Sequence, residues 1–196
     1  MIAALMVSSA AFAAGMEAEP YVGYGFLGTA GTASQFTANN NPSFSTLAVG
    51  LRANYKFDGG FYVGPDFSYH LGISATVPAN GPVPAGTSLS GSLMKLGVNV
   101  GYDVMPSTLK VWAGYNFIDG NTLNGTYGVY GTINAILAGS SYKFGVGYHL
   151  TPNWILNAEY FIQNWGSVTG SESGLPTVPQ NGNLLLVSVS MPFNMM

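Results

Sequence analysis

Alternation with a period of two, sustained from Leu47 to Ala75, constrains this chain more than any other feature. Leu47, Val49, Leu51, Ala53, Tyr55 and Phe57 fall on one face, and Ala48, Gly50, Arg52, Asn54 and Lys56 on the other. After Asp58-Gly59-Gly60 the pattern resumes: Phe61, Val63, Pro65, Phe67, Tyr69, Leu71, Ile73 and Ala75 against Tyr62, Gly64, Asp66, Ser68, His70, Gly72 and Ser74. Successive side chains of a strand point to opposite faces, so the stretch reads as a β-hairpin. Its Asp-Gly-Gly link is the chemistry of a tight turn needing positive φ. Each arm exceeds the ~5–6 residues of an ordinary strand and reaches the ~9–11 that a tilted strand needs to cross a bilayer. A large apolar face with aromatic ends, opposed to charges spaced by glycine, is the dyad of a barrel with lipid outside and a polar lumen inside.

Composition narrows the choice further. Only 7% of the 196 residues are charged while 47% are hydrophobic, against ~25% charged in soluble domains. No apolar run reaches the ~18 residues of a spanning helix, which leaves a closed barrel as the other structure that satisfies its backbone in lipid. A soluble barrel of lipocalin type would reverse the faces, and its exterior would be unusually poor in charge. The length suits one domain. A net charge of −3 and five dispersed Lys and Arg residues argue against a nucleic-acid partner. The absence of cysteine removes disulfides and thiolate metal sites.

Residues 1–13 are apolar and end in Ala11-Phe12-Ala13, which predicts a signal peptide cut after Ala13 despite the lack of a positive n-region. Residues 14–196 then form a single domain. Residues 14–20 read as a flexible approach, and Tyr21 to Gly28 as the first strand, with Val22, Tyr24 and Phe26 outward. Thr29–Ser43 and Val77–Ser88 read as long loops around the central hairpin. Met94–Val104 follows, placing Lys95, Gly97, Asn99, Gly101 and Asp103 inward. After a short turn, Leu109–Ile118 sets Lys110, Trp112, Gly114 and Asn116 inward. Asp119 to about Ile136 reads as a third loop, part of which can extend the strands. Tyr142–Leu150 carries Lys143, Gly145, Gly147 and His149 inward. Trp154–Gln163 places Glu159 inward, Gly166–Gly182 is the last loop, and Leu185, Val187, Val189, Met191 and Phe193 share a face of the final strand.

About eight strands therefore alternate between short and long connections, the asymmetry of barrels with short periplasmic turns and long extracellular loops. In this the chain resembles the small eight-stranded outer-membrane barrels of OmpA/OmpX type over nearly its whole length. It departs from their pattern by following Phe193 with Asn194-Met195-Met196. The resemblance implies an all-β, up-and-down antiparallel transmembrane barrel in a bacterial outer membrane, with lipid as its principal partner.

An eight-stranded lumen is just wide enough for side chains to fill. Arg52, Asp66, Lys95, Lys143 and Glu159 are expected to form a central lumen charge cluster, with Trp112 adding bulk. Lys56, Asp103, Lys110 and His149 are expected near the periplasmic end. Counting from the turn, positions summing to 118 should be opposite, which pairs Arg52 with Asp66. Tyr55, Phe57, Phe61, Tyr102, Tyr148, Trp154 and Phe193 sit at the short-turn end of outward faces, as an aromatic girdle at the headgroup level would. Two histidines without cysteine make a metal site unattractive, and no cofactor is expected. Ser68 and His70 share a face, roughly 7 Å apart along the strand, which admits a membrane-embedded lipid hydrolase as a lesser alternative. The leading expectation is a monomeric, non-enzymatic, non-porin anchor displaying its loops to a cell-surface partner. A narrow channel or transporter for small apolar molecules is the runner-up.

Overall fold

The Asp58-Gly59-Gly60 turn folds the central hairpin because glycine alone tolerates its geometry. Gly59 and Gly60 take φ of 93° and 88°, where a Cβ would be strained, and the Phe57 N–H donates to the Phe61 carbonyl at 2.8 Å. The computed structural model describes residues 15–32, 43–76, 88–105, 108–126, 132–170 and 180–195. Strand β2 (Ser43–Lys56) enters the turn and β3 (Phe61–Thr76) leaves it. Their register places Arg52 opposite Asp66 and Lys56 opposite Tyr62, as the count from the turn requires.

The remaining strands are β1 (Gly15–Thr32), β4 (Ser88–Met105), β5 (Leu109–Thr126), β6 (Thr132–Thr151), β7 (Trp154–Gly170), β8 (Gln180–Ser190) and β9 (Phe193–Met195). Every sequential pair from β1 to β8 is antiparallel, and β1 also pairs with β8 and β9. Strand β9 continues the wall begun by β8 after an interruption at Met191-Pro192, where the Met191 N–H donates to the Pro20 carbonyl at 3.1 Å. The result is a closed eight-strand up-and-down antiparallel barrel, in which each of β1 to β8 has a neighbour on both sides.

Several strands run further than their sequence pattern suggests. The segment expected as a flexible approach, residues 15–20, is the beginning of β1: Gly15 faces Lys56, Glu17 faces Asn54 and Glu19 faces Arg52. Alternation is present there, with Glu17 and Glu19 inward, but its outward residues Met16, Ala18 and Pro20 are weak strand formers. Much of the expected Asp119–Ile136 loop is β5 and β6, paired as far as Thr126 with Thr132. Likewise β7 reaches Gly170 and β8 begins at Gln180, inside the expected Gly166–Gly182 loop, while β1 reaches Thr32. Polar, glycine-rich strand ends carry little periodic signal, and cross-strand hydrogen bonds decide their state. The expected signal peptide lies outside the described residues.

Bulges also shift the phase. Leu71 and Gly72 are both exposed, the register slips between His70 and Ile73, and Gly72 has φ 62°. Gly72 therefore leaves the inward row that strict alternation assigned to it. A second slip between Asn116 and Asp119 exposes both Phe117 and Ile118 and turns Asp119 inward, fully buried.

Candidate functional site: a charge network in the lumen

The apolar faces point out and the charged faces in. Leu51, Tyr55, Val63, Phe67, Val98, Tyr102 and Phe144 are exposed, whereas Arg52, Asp66, Lys95, Lys143 and Glu159 are buried. All seven aromatics expected at the short-turn end are between 42% and 52% exposed. The Phe57 ring also packs against those of Tyr55 and Phe61, with centroids 4.9 and 5.8 Å away.

Arg52 is the hub of the interior. Its Nη1 lies 2.7 Å from Glu19 Oε1, its Nη2 2.5 Å from Glu159 Oε2 and its Nε 3.3 Å from Asp66 Oδ2. A guanidinium suits this role because its donors are fixed in a plane and spread over three directions. It also lies over two rings, that of Tyr21 at 4.3 Å and that of Trp112 at 4.8 Å. Lys143 pairs with Asp66 and Lys110 with Glu19. Neutral donors supply further bonds: Tyr21 Oη to Asp66 Oδ1 at 3.2 Å, Asn99 Nδ2 to Asp66 Oδ2 at 2.9 Å, Trp112 Nε1 to Glu159 Oε1 at 2.9 Å and Ser190 Oγ to Glu19 Oε1 at 2.6 Å. Removing such charges from water costs several kcal/mol each, roughly, and is offset only when every charge finds opposite charge and hydrogen bonds. Here each does.

Two smaller groups lie on either side. Toward the short turns, Lys56 Nζ bridges Glu17 Oε2 at 2.8 Å and Asp103 Oδ2 at 3.3 Å, and His149 is half-buried nearby on β6. Toward the long connections, Lys95 pairs with Asp119 beneath the Phe161 ring, 5.1 Å away, and Trp165 Nε1 donates to Asp119 Oδ1 at 3.2 Å. Lys95 thus stands apart from the Arg52 group with which it was expected, and Lys110 joins that group rather than the periplasmic set. An apolar cluster of Tyr21, Phe44, Ala48, Leu93, Phe161, Leu184 and Leu186 abuts these groups and extends toward the long connections.

Glu17, Glu19, Tyr21, Asp119, Trp165 and Ser190 are participants that sequence reading missed. The two glutamates alternate with Met16, Ala18 and Pro20, a signal that was available but short. Asp119 was hidden by its bulge.

Lumen glycines make room for the large side chains opposite them. A Cβ on Gly50 would sit 2.2 Å from the Tyr21 ring, one on Gly101 2.3 Å from Tyr62 and one on Gly145 2.1 Å from Trp112. In each case the ring lies on the residue directly across the ladder.

Ser68 Oγ and His70 Nε2 are 3.1 Å apart, closer than strand spacing alone suggests because both side chains lean together. A hydrolytic base needs a third group to orient it, yet His70 Nδ1 is buried without a hydrogen-bond partner. Both residues are sealed, at 2% and 0% exposure. No group of three metal-ligating residues occurs among the described residues.

The sequence family described as outer membrane protein beta-barrel domain matches residues 1–189. No curated protein matches the chain by sequence. Among solved structures it is similar to OprG, an outer membrane protein of Pseudomonas aeruginosa, with TM-score 0.58 and 10% identity over 93% of this chain and 98% of that one. It is also similar to the attachment invasion locus protein Ail of Yersinia pestis, crystallised with the heparin analogue sucrose octasulfate, with TM-score 0.55 and 13% identity over 91% and 99% of the two chains. AlkL, determined in lipid bilayers, gives TM-score 0.57 and 13% identity over 94% and 92%.

Proposed function

This chain belongs to the outer membrane protein beta-barrel domain family, and we propose that within the outer membrane it serves as a monomeric, non-porin anchor that presents its long connections to a partner at the cell surface. One observation carries the reading. Arg52, its three carboxylates and the Tyr21 and Trp112 rings are buried together in the lumen, which supports a closed bore. A bore already occupied by paired charges has no room for a hydrated solute, so the useful surface of such a barrel is its loop end. The attachment protein Ail, with its bound heparin analogue, supports a surface-binding role for this architecture. An epitope inserted within residues 77–87 tests the display. Intact, unpermeabilised cells should bind the antibody. Binding only after permeabilisation would contradict the proposed orientation.

A second reading rests on the apolar cluster at the long-connection half of the lumen, which suits a shallow entry for small apolar molecules. Uptake by proteoliposomes above that of empty vesicles would favour it over the anchor. The Ser68–His70 pair gives the hydrolase reading less support, because neither an orienting acid nor solvent access accompanies it.

A further inference from the structure

The chain has five Lys and Arg residues in all. Arg52, Lys95, Lys110 and Lys143 are buried in the lumen, and Lys56, at 14% side-chain exposure, bridges two lumen carboxylates. The supply of cationic side chains is therefore exhausted inside. Six of the eight acids lie inside with them, leaving Asp58, on an exposed turn, and Glu172, which lies outside the described residues. His70 is buried and His149 half-buried.

A membrane protein ordinarily draws anionic headgroups with Lys and Arg placed at the level of the membrane surface. This one has none to place, on any strand, turn or loop. Near the short turns its outer face offers Tyr55, Tyr102, Tyr148 and Trp154, all exposed. Their neutral hydroxyl and indole groups hydrogen-bond to ester and phosphate oxygens without favouring net charge. The charge described outside the lumen, that of Asp58, is negative.

We propose that the outer surface of the barrel does not enrich anionic lipid in its boundary shell and takes zwitterionic headgroups at least as readily. This follows from segregating every Lys and Arg side chain into the lumen, and it holds whether the barrel is an anchor or a channel.

Electron spin resonance of the folded, full-length barrel in phosphatidylcholine vesicles tests this directly. Spin-labelled phosphatidylcholine and phosphatidylglycerol are compared for residence in the motionally restricted boundary shell, at low salt and at high salt. The expected ratio of phosphatidylglycerol to phosphatidylcholine association is one or less, unchanged by salt. A preference for phosphatidylglycerol of roughly twofold or more that salt abolishes would overturn the proposal. A variant with Met105→Lys and Leu150→Lys, both exposed positions, supplies the second arm. It should gain a salt-sensitive phosphatidylglycerol preference of roughly twofold or more. An unchanged ratio in that variant, with its β-sheet circular dichroism intact, would equally overturn the charge-based selection.

Discussion

Arg52 donates to three carboxylates at once, so its loss leaves Glu19, Asp66 and Glu159 all short of a partner. Removing one member of a buried ion pair typically costs ~3–5 kcal/mol. Arg52→Met should reach or exceed that range. Asp66→Asn should fall within the same range, because Arg52 keeps two acceptors but Lys143 loses its paired carboxylate. The double variant should lose less than the sum. Reversible urea titration of all four forms in lipid vesicles measures the coupling, and strict additivity would refute the network. Gly145 offers an independent test, since its Cβ would collide with Trp112 while one on Gly120 meets nothing within 4 Å. Gly145→Ala should destabilise by ~1–3 kcal/mol and Gly120→Ala should stay within ~0.5 kcal/mol of the parent. Equal effects would show that the ring does not need the space. The opposition of Arg52 and Asp66 was legible in sequence because a tight turn of known geometry fixes the register on either side. That the same arginine reaches Glu159, 107 positions away, was not. Such a contact depends on how the barrel closes, which no local pattern encodes.

At the scale of strands, alternation was reliable where both faces were strongly marked, as in β2, the early part of β3 and the Met94–Val104 part of β4. It failed at bulges. One extra residue flips every side chain beyond it, and neither Gly72 nor Asp119 announces the slip. Gly72 is nevertheless a position where the backbone dictates the residue: at φ 62°, Gly72→Val should destabilise the barrel by ~1–3 kcal/mol, measured by the same urea titration. A neutral result would mean that the bulge relaxes. The start of β1 gives a second check. It bonds to β2 on one side and β9 on the other, and its Glu17 and Glu19 are held by Lys56, Arg52 and Lys110. Amide exchange across Met16–Glu19 should therefore be slow in the folded barrel, comparable to the middle of β2. Fast exchange there would return the segment to the flexible approach that its composition suggests.

For the molecule as a whole, closure and lipid-facing polarity follow from a sequence in which charge is scarce and confined to one face of each strand. Fold class and membrane could be read from that confinement. The proposed loop-end partner could not, because stretches dominated by Asn, Gly, Ser, Thr and Pro carry no chemistry that points to one ligand. What the structure adds is the state of the lumen. Arg52, Lys110 and Lys143 with Glu19, Asp66 and Glu159 cross it in one connected layer, and an apolar cluster abuts that layer. Conductance of the purified barrel in planar lipid bilayers addresses this most directly. A sealed lumen gives no stable ohmic steps in molar KCl. Reproducible porin-sized steps from the folded protein would contradict it.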